Sequence, residues 1–200
     1  MKSTSENPKL IIPKRSFAVV DTTFLSKKVV KLHLNTQDWK SSLSIKDTTG
    51  HSWFQVKKNR SVLYPRITMY DSHENALINI SKEPFFTAFP VQMGSSDDEH
   101  LYKIVKEGDW FHHKFSTSVC NFANGEIVDV YRKALDRSEQ DWYVYIGHPR
   151  NKGIPIAHIY RSMPPKGWFH KSGGHEYTVT VAPKVDVAFI VSLTLVKALQ

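Results

Sequence analysis

The stretch from Pro183 to Gln200, PKVDVAFIVSLTLVKALQ, decides the fold. Val185, Val187, Ala188, Phe189, Ile190, Val191, Leu193, Leu195, Val196, Ala198 and Leu199 point in every direction of a helical wheel. A helix that is apolar on all sides has to be buried. Asp186 near the start and Lys197 near the end both suit the helix dipole. The stretch falls short of the roughly 20 apolar residues that a bilayer needs, and it carries charge at both ends. It therefore reads as a buried helix over 183–200 and not as a membrane span or a catalytic element.

Upstream, the periodicity is different. Val30, Leu32 and Leu34 alternate with Lys31 and His33, and Lys27 and Val29 continue the outer set. Leu43 and Ile45, Phe54 and Val56, Ile67 and Met69, and Ile78 and Ile80 repeat the same two-residue period. One buried face per strand gives that pattern. Phe17 to Val20 reads as the first strand, and Tyr177 to Val181 as the last. Asn124-Gly125, between two such runs, is the strongest hairpin signal. About a dozen strands at a spacing of roughly 8 to 12 residues suit a sandwich or a barrel.

Composition bounds the rest. Two hundred residues, 40% hydrophobic, suffice for one domain with a sizeable core. Residues 1–14 read as a flexible tail and residues 15–200 as a single domain. No apolar signal-peptide region occurs at the N-terminus. The one cysteine, Cys120, reads as a small, buried, unreactive side chain. The lack of paired cysteines favours an intracellular protein: cytoplasmic, with peripheral membrane residence and a nuclear location both left open.

Four segments in order carry a resemblance. They are Phe24-Leu25-Ser26-Lys27-Lys28, Leu43-Ser44-Ile45-Lys46-Asp47-Thr48-Thr49-Gly50, Asp71-Ser72-His73-Glu74-Asn75-Ala76-Leu77, and Tyr177-Thr178-Val179-Thr180-Val181-Ala182-Pro183-Lys184-Val185-Asp186. With the apolar end they resemble the tubby C-terminal superfamily over residues 15 to 200, and within it the LURP-one-related proteins. The resemblance implies a mainly β fold: a roughly 12-stranded antiparallel barrel enclosing the hydrophobic C-terminal helix. Lys184 stands where that family carries glycine, so a different turn geometry is expected there. Relatives in the superfamily bind phosphoinositides or act on phospholipids. The scramblases among them carry a proline-rich N-terminus and a cysteine cluster; this chain has neither, so scramblase activity is not expected.

Charge gives the functional direction. The chain carries a formal net charge of +8. Between Lys27 and Arg66 stand nine basic residues and only Asp38 and Asp47, so nearly the whole excess lies on the first few strands. If the apolar residues face inward, Lys27, Lys31, Lys46, Lys57 and Arg66 face outward on neighbouring strands, with Lys58 and Arg60 close by. These seven are the candidate headgroup-binding residues. Each cation contributes on the order of 1 kcal/mol near an anionic membrane surface. Trp53, also outward, is placed to sit at the interface. An ordinary solvated surface accounts for the same lysines.

Catalytic and metal motifs are missing. His112 and His113 are adjacent and would face opposite sides of a strand, and His170 and His175 flank a glycine-rich loop without zinc-ligand spacing. Asp97-Asp98-Glu99 lacks the calcium-loop pattern. No cofactor is implied. The first reading is a non-enzymatic domain recognising phosphoinositides or other anionic headgroups, reversibly, at a membrane surface. The second is a protein or nucleic-acid adaptor using the same face, although no free recognition helix is in view. An enzyme or a hollow lipid carrier ranks last, because a helix inside the barrel fills the space a ligand would need.

Overall fold

The computed structural model describes residues 8–36, 39, 41–59, 66–83, 88–94, 99–107, 114–135, 140–162 and 175–198. Twelve strands follow in chain order: β1 (Val30–Asn35), β2 (Ser42–Asp47), β3 (Ser52–Asn59), β4 (Arg66–Tyr70), β5 (Ala76–Ser81), β6 (Ala88–Met93), β7 (His100–Glu107), β8 (Lys114–Asn121), β9 (Glu126–Ala134), β10 (Asp141–Ile146), β11 (Ile154–Ser162) and β12 (Glu176–Val181). One helix, α1 (Val187–Ala198), ends the described chain. Each strand pairs antiparallel with the next. β12 pairs back on β1, Val30 opposite Val181 and Asn35 opposite Glu176, which closes the barrel.

The two-residue period is the inside–outside alternation of that barrel. Val30, Leu32 and Leu34 are buried while Lys31, His33 and Asn35 are exposed. The same holds for Leu43 and Ile45 on β2. α1 runs through the lumen: every side chain from Val187 to Val196 is buried. Phe189 packs edge-on against Phe17 and against Tyr102 of β7. Tyr102 Oη lies 2.7 Å from Ser192 Oγ. Twelve residues of helix span about 18 Å, close to the length of a six-residue strand, so α1 fills the barrel from end to end. Burial of each large apolar side chain contributes about 1.5–3 kcal/mol.

The helix begins at Val187 and not at Pro183. Residues 183–186 form a turn, and Asp186 caps the helix: its Oδ1 accepts the Phe189 N–H at 3.1 Å. Lys184 takes φ +63, the left-handed conformation that glycine favours, so the turn keeps a glycine-like backbone with a lysine in it. Phe17–Val20 is not a strand either. Phe17 makes a single parallel bridge to Val185. The N–H groups of Val19, Val20 and Asp21 all point at Asp186 Oδ2, at 3.0, 2.7 and 3.2 Å. The carboxylate supplies the acceptor that a neighbouring strand would have supplied.

The Asn124-Gly125 signal lies in a four-residue connection between β8 and β9, where Gly125 takes φ +73 and donates its N–H to Asn121 O at 2.7 Å. Ahead of Arg15, Leu10 packs against the core, Pro13 is buried, and the Ile11 N–H donates to Pro155 O at 2.8 Å. Cys120 faces outward from β8 and is half-buried, because Val119 takes the inward position. No helix among the described residues is long and apolar enough to cross a membrane.

Candidate functional site

The outer face of β1 to β4 is built by register. His33 of β1 stands opposite Lys46 of β2, with Lys31 one diagonal step away. Lys57 of β3 stands opposite Ser42 of β2 and Thr68 of β4. Arg66 of β4 stands opposite Asn59. Ser42 and Lys46 are four residues apart on β2, so the cations form two groups separated by about 13 Å along the sheet. Lys31 and Lys46 lie near the end where α1 begins; Lys57 and Arg66 lie near the end where it finishes. Lys57 Nζ sits 4.7 Å above the Tyr70 ring, a cation–π contact.

Among the described residues the one carboxylate on these four strands is Asp47, at the end of β2 beside Lys46, and it is bonded to the outward-facing Trp53. The outward set is Lys31, His33, Asn35, Ser42, Ser44, Lys46, Trp53, Gln55, Lys57, Arg66, Thr68 and Tyr70. Glu176 of the adjoining β12, opposite Asn35, bounds the face on one side.

Two candidates fall elsewhere. Lys27 is exposed in a bend before β1, at the barrel's end, because the strand starts only at Val30. Lys58 shares the inward phase of Phe54 and Val56 and stands opposite Ile67; half-buried, it leans over Trp39, 5.6 Å from the ring centroid. Arg60 lies outside the described residues, as do His112, His113, His170, Asp97 and Asp98. Among the described residues no three His, Cys, Asp or Glu side chains are grouped to hold a metal ion.

Trp53 faces outward but is occupied. Its Nε1–H donates to Asp47 Oδ2 at 3.1 Å, and its ring packs on His51 and Phe54. Asp47 also accepts from the Thr49 hydroxyl and from the Thr49 and His51 N–H groups. These bonds, the Thr49 hydroxyl foremost, hold its carboxyl down at about 2. Trp53 thus braces the β2–β3 turn.

Some charged sites were not visible as sites in the sequence. A cleft of about 100 Å³ on the opposite wall is lined by Lys114, Tyr131, Lys133, His148 and Arg150. It belongs to the part of the chain whose net charge is close to zero, so counting charge along the sequence hides it. Inside the barrel, Arg132 of β9 is buried: its Nη1 donates to Leu193 O at 3.0 Å, and its guanidinium stacks over Phe115 at 4.1 Å.

Residues 22–197 match the family model described as LURP-one-related. The fold is similar to the X-ray structure of a protein from Arabidopsis thaliana, with a TM-score of 0.65 at 20% identity over 90% of this chain and 95% of that one. At that identity the likeness speaks for the fold alone. No curated protein matches the chain in sequence. Family and fold are together consistent with a non-enzymatic, tubby-like domain.

Proposed function

The chain belongs to the LURP-one-related family, and from that premise we propose that it is a non-catalytic domain binding anionic phospholipid headgroups, phosphoinositides among them, through the outer face of β1 to β4. One observation carries the reading: among the described residues, four adjacent strands project Lys31, Lys46, Lys57 and Arg66 outward, and the one carboxylate on them, Asp47, is taken up by Trp53 and Thr49. Such a face attracts the anionic cytoplasmic leaflet without a deep pocket. The interior holds α1, so binding belongs to the outside. The unit is residues 15–200, with residues 1–14 as an appended segment, and membrane residence is peripheral and reversible.

Liposome co-sedimentation tests the reading. Binding to vesicles containing phosphatidylserine or phosphatidylinositol bisphosphate is expected, weakening as salt rises. Lys31→Ala, Lys46→Ala and Lys57→Ala should each lower the affinity about fivefold, the equivalent of about 1 kcal/mol per cation. Binding that ignores salt and all three substitutions would overturn it. Tight, salt-steep binding to duplex DNA instead of vesicles would support the adaptor reading.

A further inference from the structure

Exposed apolar side chains are not scattered over this barrel. Ile11, Ile12, Val29, Phe122 and Ile127 are between 47% and 73% exposed. All five lie at the end where α1 begins. Val29 precedes Val30, which pairs with Val181 just ahead of the turn into the helix. Phe122 follows β8 and donates its N–H to Ala18 O at 2.8 Å. Ile127 stands opposite Cys120 beside the same connection. Ile11 is bonded to Pro155 at the start of β11. The other two exposed large hydrophobics among the described residues, Val105 and Tyr160, lie toward the far end, opposite Ser116 and Asp141.

Cations share this end. Lys14, Lys27, Lys28, Lys152 and Lys184 are all exposed there. Its carboxylates are engaged: Glu126 pairs with Arg15 at 2.9 Å, Asp129 accepts from Ser118 Oγ at 2.6 Å, and Asp21 caps the short turn Thr22–Phe24. The acidic residues Asp47, Asp71, Glu74 and Glu99 sit on the other half of the rim, at the turns joining β2 to β7. Lys152 and Lys184 take φ +61 and +63. Glycine would relieve both backbones.

We propose that this end of the barrel is the membrane-facing end: Ile11, Ile12, Val29, Phe122 and Ile127 enter the boundary between headgroups and acyl chains, while the surrounding lysines meet lipid phosphates. A surface that mixes cations with protruding apolar side chains binds bilayers by both terms at once. A cleft of about 290 Å³, floored by Phe17, Val128, Ile146 and Ile154, extends the apolar ground between them. The inference rests on the anionic-lipid reading and deepens it. The partner is the same, and the protein stands on its end, with Lys31 and Lys46 on the flank nearest the lipid and Lys57 and Arg66 about 13 Å further off, so that Lys57→Ala should then cost less than Lys31→Ala or Lys46→Ala.

The test uses vesicles of phosphatidylcholine with anionic lipid. The variant Ile12→Ser/Phe122→Ser/Ile127→Ser should keep the native urea midpoint and lose at least tenfold in vesicle partitioning, since inserted apolar area is what it removes. In a Cys120→Ser background, an environment-sensitive thiol probe at Ala123→Cys should shift to the blue and be quenched by acyl-chain quenchers. The same probe at Tyr160→Cys should do neither. If Lys31→Ala and Lys57→Ala weaken binding while the apolar triple variant binds like the native chain and both probes respond alike, the end-on placement is overturned and the headgroup reading stands. If the native chain does not sediment with vesicles, both fall. Loss of capture of a protein partner without any vesicle binding would make this end a protein interface instead.

Discussion

At its N-terminal end α1 meets Asp186, a carboxylate on its own chain that accepts four backbone N–H groups. In its C-terminal half it meets Arg132, a guanidinium reaching in from the barrel wall. Both charges suit the helix dipole, negative at the start and positive at the finish. The difference lies in what each holds. Asp186 ties residues 17–21, the turn at 183–186 and the helix to one side chain. Its donors are main-chain groups that no substitution short of proline can remove. Arg132 lies against Phe115 and Trp142 and bonds a carbonyl of the last helical turns. The first charge organises three segments; the second holds one helix carbonyl while lying against two aromatic rings.

The strongest test removes the organiser. Asp186→Ala leaves three buried N–H groups and one part-buried one without their acceptor and should cost about 3–5 kcal/mol, enough to unfold a marginal domain. Asp186→Asn keeps one acceptor oxygen and should lose less. Urea midpoints on both variants check the order. Phe189→Asp puts an uncompensated charge into the aromatic contacts with Phe17 and Tyr102 and should also abolish folding. A folded Asp186→Ala variant would show that residues 17–21 are held by something else.

The other end should be more forgiving. Arg132→Met preserves most of the volume and removes a buried cation, while the Leu193 carbonyl keeps its place in the helical ladder of α1. A loss of about 1–2 kcal/mol in unfolding free energy, read from urea titration, is expected. A loss equal to that of Asp186→Ala would break the contrast between the two ends.

The two residues also differ in how far the sequence reveals them. Asp186 interrupts an apolar run at its start, and that position alone marks it as a helix cap. Arg132 sits in Tyr131-Arg132-Lys133, which reads as a solvated strand edge; only its phase with Val130 places it inside. The barrel is legible because period-two burial is clean on β1, β2, β4, β8 and β12, although β5, β6, β10 and β11 bury consecutive residues. Lys31, Lys46 and Lys57 were placed outward for the same reason. The same period also puts Lys27 outward, whereas it lies in the bend before β1, and Lys58 takes the inward phase; strand starts and inward-phase lysines at a barrel's rim carry no periodic mark. The apolar end was hidden for a different reason. It is assembled from Ile11, Val29, Phe122 and Ile127, which only closure of the barrel brings together.

A smaller effect probes what the N-terminal end tolerates. Lys184 holds a left-handed backbone between its bonds to Phe17 and Ser26. Lys184→Gly relieves that conformation, and the gain is offset in part by the freer unfolded chain. A net stabilisation of up to about 1 kcal/mol is expected from urea titration, together with weaker binding to anionic vesicles. Destabilisation would mean that the lysine side chain itself supports the turn.

The finest test compares two carboxylates with opposite pH signatures. Burial pushes Asp186 up from its ordinary value of 3.8, against its four N–H donors. Its contribution is therefore complete below about pH 4 and declines as pH rises toward the folded-state value. Asp47 is half-buried at the β2–β3 turn, where the Thr49 hydroxyl and the Trp53 Nε1–H hold it down at about 2. The folded state then binds fewer protons than the unfolded chain in the interval between the two values, so stability rises with pH there. What Asp47 contributes is present above about pH 4 and is lost as pH falls toward 2. Asp47→Asn should flatten the acid limb of a stability–pH curve in that window and leave the curve near neutral pH parallel to the native one. An acid limb unchanged by Asp47→Asn would assign the loss to other carboxylates and leave Trp53 without its partner's charge as the reason it stays folded back on the turn.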